Sequence, residues 1–545
     1  MFLTRVSLAA TIAALLLPVS MVATTSAVTR NGWSNLGSNG QPSAPDGALN
    51  GRVHAIAVSG TDVYVGGMFT GTAGLGGAGS IAKWNGSAWS TMPNSLGGGA
   101  LNGRVNAILV DGSNVIAGGF FQNAGGDPQA DYLAVWNGST WSDLDGATTG
   151  DGALNGEVHA LAKNGSNLYV GGTFFNAPVI GGVSGNAGDN ILRWDGSWHT
   201  LDQRPNGDGA LQASVKALVA TADGVIAGGA FNDAADTEAD FLAEYNLLAD
   251  SWAPLHGSDA TFDEASFSSV DALYLNGAEL FVGGNFTDFA GMTAADYLVW
   301  WNGVEWSAPG GANGTSAVRS RVNSIVGDGT DVYVGGDFVN AGVGAAQKPT
   351  ADRVAKWNGS AWSGLGGNGA GDGALNTSPD GQGWVRALGI VGSSLVVGGS
   401  FLNAATIAEA DFIASFSPPP PASSKPDGRI KKGNGALVGN NVYNGTGVNQ
   451  SRTGQAAIGN TITFTLSIQN DGTGAGAFMV ESTGAAASGY QVTYWRGTTN
   501  ITAAVVNGTY QTSSLAPGAA LAIKAKVKVL AGAGAGSSVT RLVTI

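Results

Sequence analysis

The chain has no cysteine, only four histidines, and a charged fraction of 12% across 545 residues. Without cysteine there can be no disulfide, no thiolate metal site, no lipid-modified N-terminal cysteine and no cysteine nucleophile. The histidines (His54, His159, His199 and His256) fall in no HExxH or His-x-His pattern, and no GxSxG occurs. Zinc-hydrolase and serine-hydrolase readings therefore lack their parts. Long apolar runs are missing too, since nothing after the N-terminus approaches the ~20 residues that cross a bilayer. No segment carries the periodicity of an amphipathic helix. Such a chain must gain its stability by packing short strands.

What it has in abundance is glycine, 88 residues of it, the composition of strands joined by tight turns. Residues 1–27 read as a secretory signal, with Arg5, an apolar run to Leu17 and small residues before a cut after Ala27, so a secreted, extracellular protein is expected. The charge is uneven. Residues 1–417 carry 15 Lys and Arg against 36 Asp and Glu, whereas residues 418–545 carry 10 against 3. The acidic first part excludes general nucleic-acid binding, which needs a surplus of cations. The basic tail suits either a polyanionic surface, such as the cell envelope, or an ordinary small domain with lysines on exposed strands.

Seven copies of a Gly-Gly pair end apolar runs: VYVGGMF, VIAGGFF, LYVGGTF, VIAGGAF, LFVGGNF, VYVGGDF and LVVGGSF. Their first glycines are Gly66, Gly118, Gly171, Gly228, Gly283, Gly335 and Gly398, spaced 52 to 63 residues apart. Each copy holds four strand-like runs; in the second they are VNAILV, NVIAGGFF, DYLAVWNG and TWSDL. The Asn-Gly turns between runs predict hairpins with both turn residues at positive φ. A period near 50 with four strands per copy predicts the blades of a β-propeller. The seventh copy stops at PPPP without its WSxL strand, and NGWSNLG at residues 31–37 is that strand, standing alone at the other end. Pairing it beside DFIASFS would close the ring and remove two exposed edges.

These residues resemble the kelch repeat of galactose-oxidase-like propellers, with YNLLADSW at 245–252 nearest the kelch spacing. The GG-x-F and LAxWNG-x-W phrasing is also similar to repeats of fungal cortical polarity-marker proteins and of bacterial secreted proteins. The resemblance covers residues 31–417 and implies a seven-bladed propeller, a fold used by binding platforms and enzymes alike. The copper oxidases of this fold use a Cys–Tyr crosslink, which a chain without cysteine cannot form. Residues 418–426 (PPPPASSKP) read as a stiff linker. Residues 427–545 alternate with period two and show no helix signal, which predicts a β-sandwich similar to immunoglobulin-like accessory domains.

Twelve of the 15 tryptophans occupy repeating positions and read as packing between sheets; Trp300, Trp384 and Trp495 break the pattern. Asp131, Asp189, Asp240, Asp296, Asp352 and Asp411 each stand five residues before the third-strand aromatic, and read as caps of their own loops rather than a calcium ring. The DGALNG aspartates Asp46, Asp151, Asp208 and Asp372 receive the same reading, and the Asn-Gly-Ser/Thr sequons read as turns. No cofactor or metal is expected.

The candidate site comes from aligning the first strand of each copy on its leading Val. The residues flanking that Val enter the innermost strand at the channel mouth. They include Arg52, His54, Arg104, Glu157, His159, Lys216, Asp271, Arg321, Trp384 and Arg386. Five of them are among the 14 Lys and Arg residues between the signal and the linker. A basic mouth on an acidic disc focuses an anion; Arg forks suit carboxylate or sulfate, and Trp384 offers a stacking face. The expected function is non-enzymatic recognition or adhesion, with an acidic glycan or an acidic segment of an extracellular protein as partner. Two alternatives stand beside it. One is a polysaccharide lyase or hydrolase with His54 or His159 as base. The other is a structural matrix or surface component, in which polar residues merely keep the channel wet.

Overall fold

Short runs alternating between apolar and polar residues, punctuated by glycine, fold as antiparallel strands almost throughout. The computed structural model describes residues 29–38, 46–76, 79–93, 99, 101–144, 152–175, 189–201, 209–232, 234–236, 239–255, 267–368, 372–375, 383–418, 423–442, 448–484 and 486–545. The expected signal, Asp151, Asp208, His256 and residues 419–422 of the Pro-rich linker lie outside these residues. The chain divides into two compact units after Pro418.

In the first unit the described residues form six four-stranded antiparallel sheets and one of five strands, an all-β arrangement that fits a β-propeller. The first strand of each copy is innermost: Arg52–Ser59, Arg104–Asp111, Glu157–Asn164, Val215–Ala220, Phe267–Asn276, Val322–Gly327 and Trp384–Val391. Each packs on the next, and Trp384–Val391 packs on Arg52–Ser59.

The Gly-Gly pair explains that packing. A Cβ on the first glycine would overlap the leading Val of the following sheet: Gly66 meets Val105, Gly118 meets Val158, and so on to Gly398, which meets Val53 of the first sheet. The second glycine of each pair lies against the backbone carbonyl of the residue before its own sheet's Val, as Gly67 does against Arg52. The pair is thus a socket for a neighbouring side chain followed by a close backbone approach. The fourth-strand tryptophans join the same neighbours. Trp141 Nε1 donates to Met92 O at 3.0 Å, Trp252 to Leu201 O at 2.8 Å and Trp362 to Pro309 O at 2.9 Å, all in the preceding copy.

The fragment Trp33–Ser34 pairs antiparallel with Ile413–Phe416, in the register Trp33↔Phe416 and Ser34↔Ser415. It completes the sheet that lacked its fourth strand, and Thr29–Arg30 adds a fifth. The repeated aspartates do more than cap their own loops. Asp352 accepts Asn340 N at 2.7 Å and also Gly373 N, at the start of the next copy, at 3.0 Å. Asp411 accepts Asn403 N at 2.8 Å and Asp46 N, at the other end of the chain, at 3.0 Å. One expectation needs correcting. In the Trp-Asn-Gly turns only the glycine has positive φ (92° at Gly86), while Asn85 Oδ1 accepts Ser87 N at 3.0 Å and Ala88 N at 2.8 Å. The asparagine is there for its side-chain acceptor, not for its backbone freedom.

The second unit holds a six-stranded antiparallel sheet built mainly on Pro426–Lys432, Thr461–Asn470, Ala520–Val529 and Tyr490–Arg496, and a three-stranded sheet around Met479–Ser482. Leu466, Ile468, Val480, Val492, Tyr494 and Ile523 share its core. A single helical turn, Thr502–Val506, interrupts the strands where no helix was expected. Pro426, placed in the linker by composition, already pairs with Asn470.

Candidate functional site

A cavity of about 210 Å³ lies among the seven inner strands of the first unit. A β-bulge on each inner strand builds its lining. The register slips between Val53 and Ala55, Val158 and Ala160, Val215 and Ala217, Val270 and Ala272, Val322 and Ser324, and Val385 and Ala387, and the second sheet slips likewise. The residues set out of register are the ones that follow the leading Val. A bulge re-aims a side chain that would otherwise alternate away. His54, Asn106, Lys216, Asp271, Asn323 and Arg386 accordingly line the cavity, while the third strand contributes Ala160 and Leu161.

Two carboxylates take up much of the cationic charge. Glu157 accepts Arg104 Nε at 3.0 Å and Asn106 Nδ2 at 2.7 Å. Burial alone would raise its pKa, but these bonds outweigh burial and lower it. Asp271 accepts Arg321 Nε at 2.8 Å and Arg321 Nη2 at 2.9 Å, a two-point fork, and lies 3.3 Å from Lys216 Nζ. Asp271 outweighs the burial of Arg321 and holds its pKa above the usual value.

The remaining corner, where the last sheet meets the first, is different. Two guanidiniums lie against the Trp384 ring, Arg52 at 5.8 Å and Arg386 at 5.3 Å from the ring centre. His54 meets its edge at 5.7 Å. Arg386 has no ion pair and no hydrogen bond among the described residues, and burial, together with Arg321 and Arg104, lowers its pKa. Burial and the cations Arg386, Arg104 and Arg52 depress His54 to about 3, and its Nε2 is buried with no partner. His159 stands back from the cavity with Nε2 2.9 Å from Thr173 Oγ1, and burial lowers its pKa as well. Both imidazoles are neutral at neutral pH.

The ten candidates thus separate into paired groups (Arg104 with Glu157; Lys216 and Arg321 with Asp271), a hydroxyl-bonded His159, and a cluster of Arg52, His54, Trp384 and Arg386. Asn106 and Asn323, which follow the leading Val in their strands, line the cavity as well; sequence reasoning left out the variable position of the GG-x-F motif. That position is Met68 opposite Arg52, Phe120 opposite Arg104, Thr173 opposite Glu157 and Ser400 opposite Trp384. Met68 and Phe120 are exposed. Asp337 occupies the same position in the sixth copy and accepts Asn323 Nδ2 at 3.0 Å. The signal was available: one variable residue inside an otherwise fixed phrase. Among the described residues no group of three or more His, Asp or Glu is gathered as a metal site, and no helix is long and apolar enough to cross a membrane.

No family model and no curated protein matches the sequence. Among solved structures, the computationally designed Ika4 protein is 18% identical over 33% of this chain and 86% of its own, with a TM-score of 0.19. YjhT is 14% identical over 53% of this chain and 91% of its own, with a TM-score of 0.29. Likenesses at these scores carry no weight for the site.

Proposed function

We propose that the first unit is a seven-bladed, kelch-like β-propeller of a secreted recognition protein, that the second is an immunoglobulin-like β-sandwich, and that the channel mouth binds an anionic group on an acidic glycan. The carrying observation is Arg386: a desolvated cation facing the cavity with no ion pair among the described residues, because the carboxylates that attract it, Asp271 and Asp337, are engaged by Arg321 and Lys216 and by Asn323. An anion at that corner would gain Arg386, beside the ring of Trp384. The cavity is smaller than the roughly 300–1,000 Å³ that encloses a whole small ligand, so an end group or a single charged ring enters and the rest of the partner lies outside. Exposed Met68 and Phe120 supply apolar surface beside it for sugar rings.

The test is binding of the full chain to neutral and acidic polysaccharides, with Arg386→Gln as the variant. Binding to polygalacturonate or hyaluronate that weakens with salt and falls about tenfold or more in the variant supports the reading. Binding unchanged in the variant, or equal on neutral dextran, rejects it. Retention of acidic peptides alone would transfer the site to a protein partner.

A lyase is the second reading, favoured by one feature. A neutral imidazole, His54, lies beside Arg386, the pairing that proton abstraction next to a neutralised uronate requires. Appearance of unsaturated ends in a bound uronate polymer, lost in His54→Gln, would establish it.

A further inference from the structure

The strand Ala520–Val529 of the second unit alternates strictly. Leu521, Ile523 and Ala525 enter the core, and Lys524, Lys526 and Lys528 stand on the opposite face. Register places further groups beside them on the same face. Lys524 lies between Thr465 and Trp495, Lys526 between Thr463 and Thr493, and Lys528 between Thr461 and Gln491. Lys431 faces Thr465, and Arg429 faces Ser467, on the next strand out. This side of the sheet therefore carries five cations, a row of hydroxyls and one tryptophan.

No carboxylate balances the lysines. Lys524, Lys526, Lys528 and Lys431 form no ion pair or hydrogen bond among the described residues; Lys526 instead lies over the Trp495 ring, 4.4 Å from Nζ to the ring centre. Of the three acidic residues after position 418, Asp427 is buried at the far end of the face, 3.8 Å from Arg429, Asp471 follows the strand Thr461–Asn470 at that same end, and Glu481 belongs to the other sheet. Like charges in adjacent register repel, and a solvated face normally interleaves both signs. Here three ammonium groups run at two-residue steps, about 13 Å from first to last.

We propose that this face binds a linear anionic polysaccharide, one whose carboxylate or sulfate groups recur along an extended chain. The lysine row matches such a repeat, the threonine and serine hydroxyls match sugar hydroxyls, and Trp495 offers a ring edge at the end of the row. An anionic bilayer fits less well, because surface binding to lipid uses apolar side chains that enter the acyl boundary. This face offers hydroxyls and a half-buried tryptophan covered by Lys526. The inference does not rest on the channel reading.

The test applies the full chain to immobilised dextran sulfate, polygalacturonate and neutral dextran, eluted with salt. The expected result is retention on dextran sulfate, on polygalacturonate or on both, and none on neutral dextran. Sulfate and carboxylate preference is read from which matrix retains more. The combined variant Lys524→Gln, Lys526→Gln, Lys528→Gln lowers affinity about tenfold or more and flattens the slope of log affinity against log salt by roughly two to three. The combined lysine variant lowers retention on dextran sulfate by the same factor whether or not Arg386→Gln is also present, which separates this face from binding at the channel. Should the combined variant unfold, the single exposed change Lys528→Glu carries the same expectation in smaller degree. Retention unaltered by both variants, no retention at all, or capture only by phosphatidylserine vesicles would overturn the proposal.

Discussion

Arg386 and His54 show how much an environment decides what a residue can do. Both were named for their place at the mouth, yet burial among cations makes His54 neutral, and Arg386 has no ion pair or hydrogen bond among the described residues. Arg104 and Arg321, named for the same reason, are engaged by carboxylates. Their substitution leads to a different outcome from that of Arg386. Arg321→Gln leaves Asp271, which is almost inaccessible, with only Lys216 and the Ser269 hydroxyl as partners, and is expected to cost about 1–3 kcal/mol of stability in chemical denaturation. Arg386→Gln removes an unmatched cation and should leave stability level or higher. The His54 shift also has a pH consequence. Its folded pKa is depressed to about 3 from 6.5. The unfolded chain therefore takes up a proton below about pH 6.5 that the folded chain refuses. The stability this group contributes is complete above pH 6.5 and is lost as pH falls toward 3, by up to about 1.4 kcal/mol per pH unit. His54→Gln should show a shallower loss of denaturation midpoint between pH 6.5 and 4 than the parent protein. An identical slope in the two would mean that His54 is protonated in the fold.

At the scale of the element, two devices recur from sheet to sheet. One is the socket of the first glycine. Gly283→Ala drives a methyl into Val322 of the next sheet and should destabilise by about 1–3 kcal/mol; Val322→Ala removes the obstructing methyls and costs about 0.5–2 kcal/mol alone. If the socket is what the glycine is for, the double variant is more stable than the sum of the two losses. Denaturant midpoints of the four proteins in the cycle measure that coupling. The other device is a turn. After Asp131, Asp296 and Asp411 the chain takes a positive φ at Tyr132 (63°), Tyr297 (63°) and Phe412 (60°), and the next N–H returns to the aspartate carbonyl at 2.7 Å. That is the rare γ-turn of positive φ, and the aspartate side chain secures its loop. The socket could be sensed from the sequence as a phrase fixed in seven places, and the aspartates as a phrase fixed in six. The bulge could not, because a strand of VHAIAV and one of VKALVA alternate identically whether or not a residue slips out of register. The ion pairs were equally hidden. Arg104 and Glu157 are 53 residues apart and occupy the same position in adjacent copies, and only the angle between sheets decides that they meet.

For the whole molecule the decisive contact is between its two chain-distant ends. Trp33 is fully buried against Phe416, with ring centres 5.4 Å apart, and Ser34 Oγ lies 3.0 Å from Ser415 Oγ across the strand pair. The same junction is tied by Asp411 reaching Asp46 N, and by Val53 filling the socket of Gly398. Among the described residues of the first unit each four-stranded sheet is continuous in sequence, so the five-stranded sheet is the place where the set of sheets could open by unpairing two short strands. The absence of native cysteine makes the point testable without ambiguity. Ser34→Cys with Ser415→Cys introduces two thiols that can pair only with each other, at positions already opposite in register. The bond would close a loop of some 380 residues; closing so long a loop stabilises a protein by about 2–5 kcal/mol when it does not distort the fold. If unfolding begins by release of Trp33–Ser34, oxidation raises the melting temperature and slows thermal inactivation, and reduction restores the parent values. If unfolding begins within another sheet, any shift in melting temperature comes from the unfolded chain and the unfolding rate does not change, because the crosslink restrains nothing that moves before the barrier.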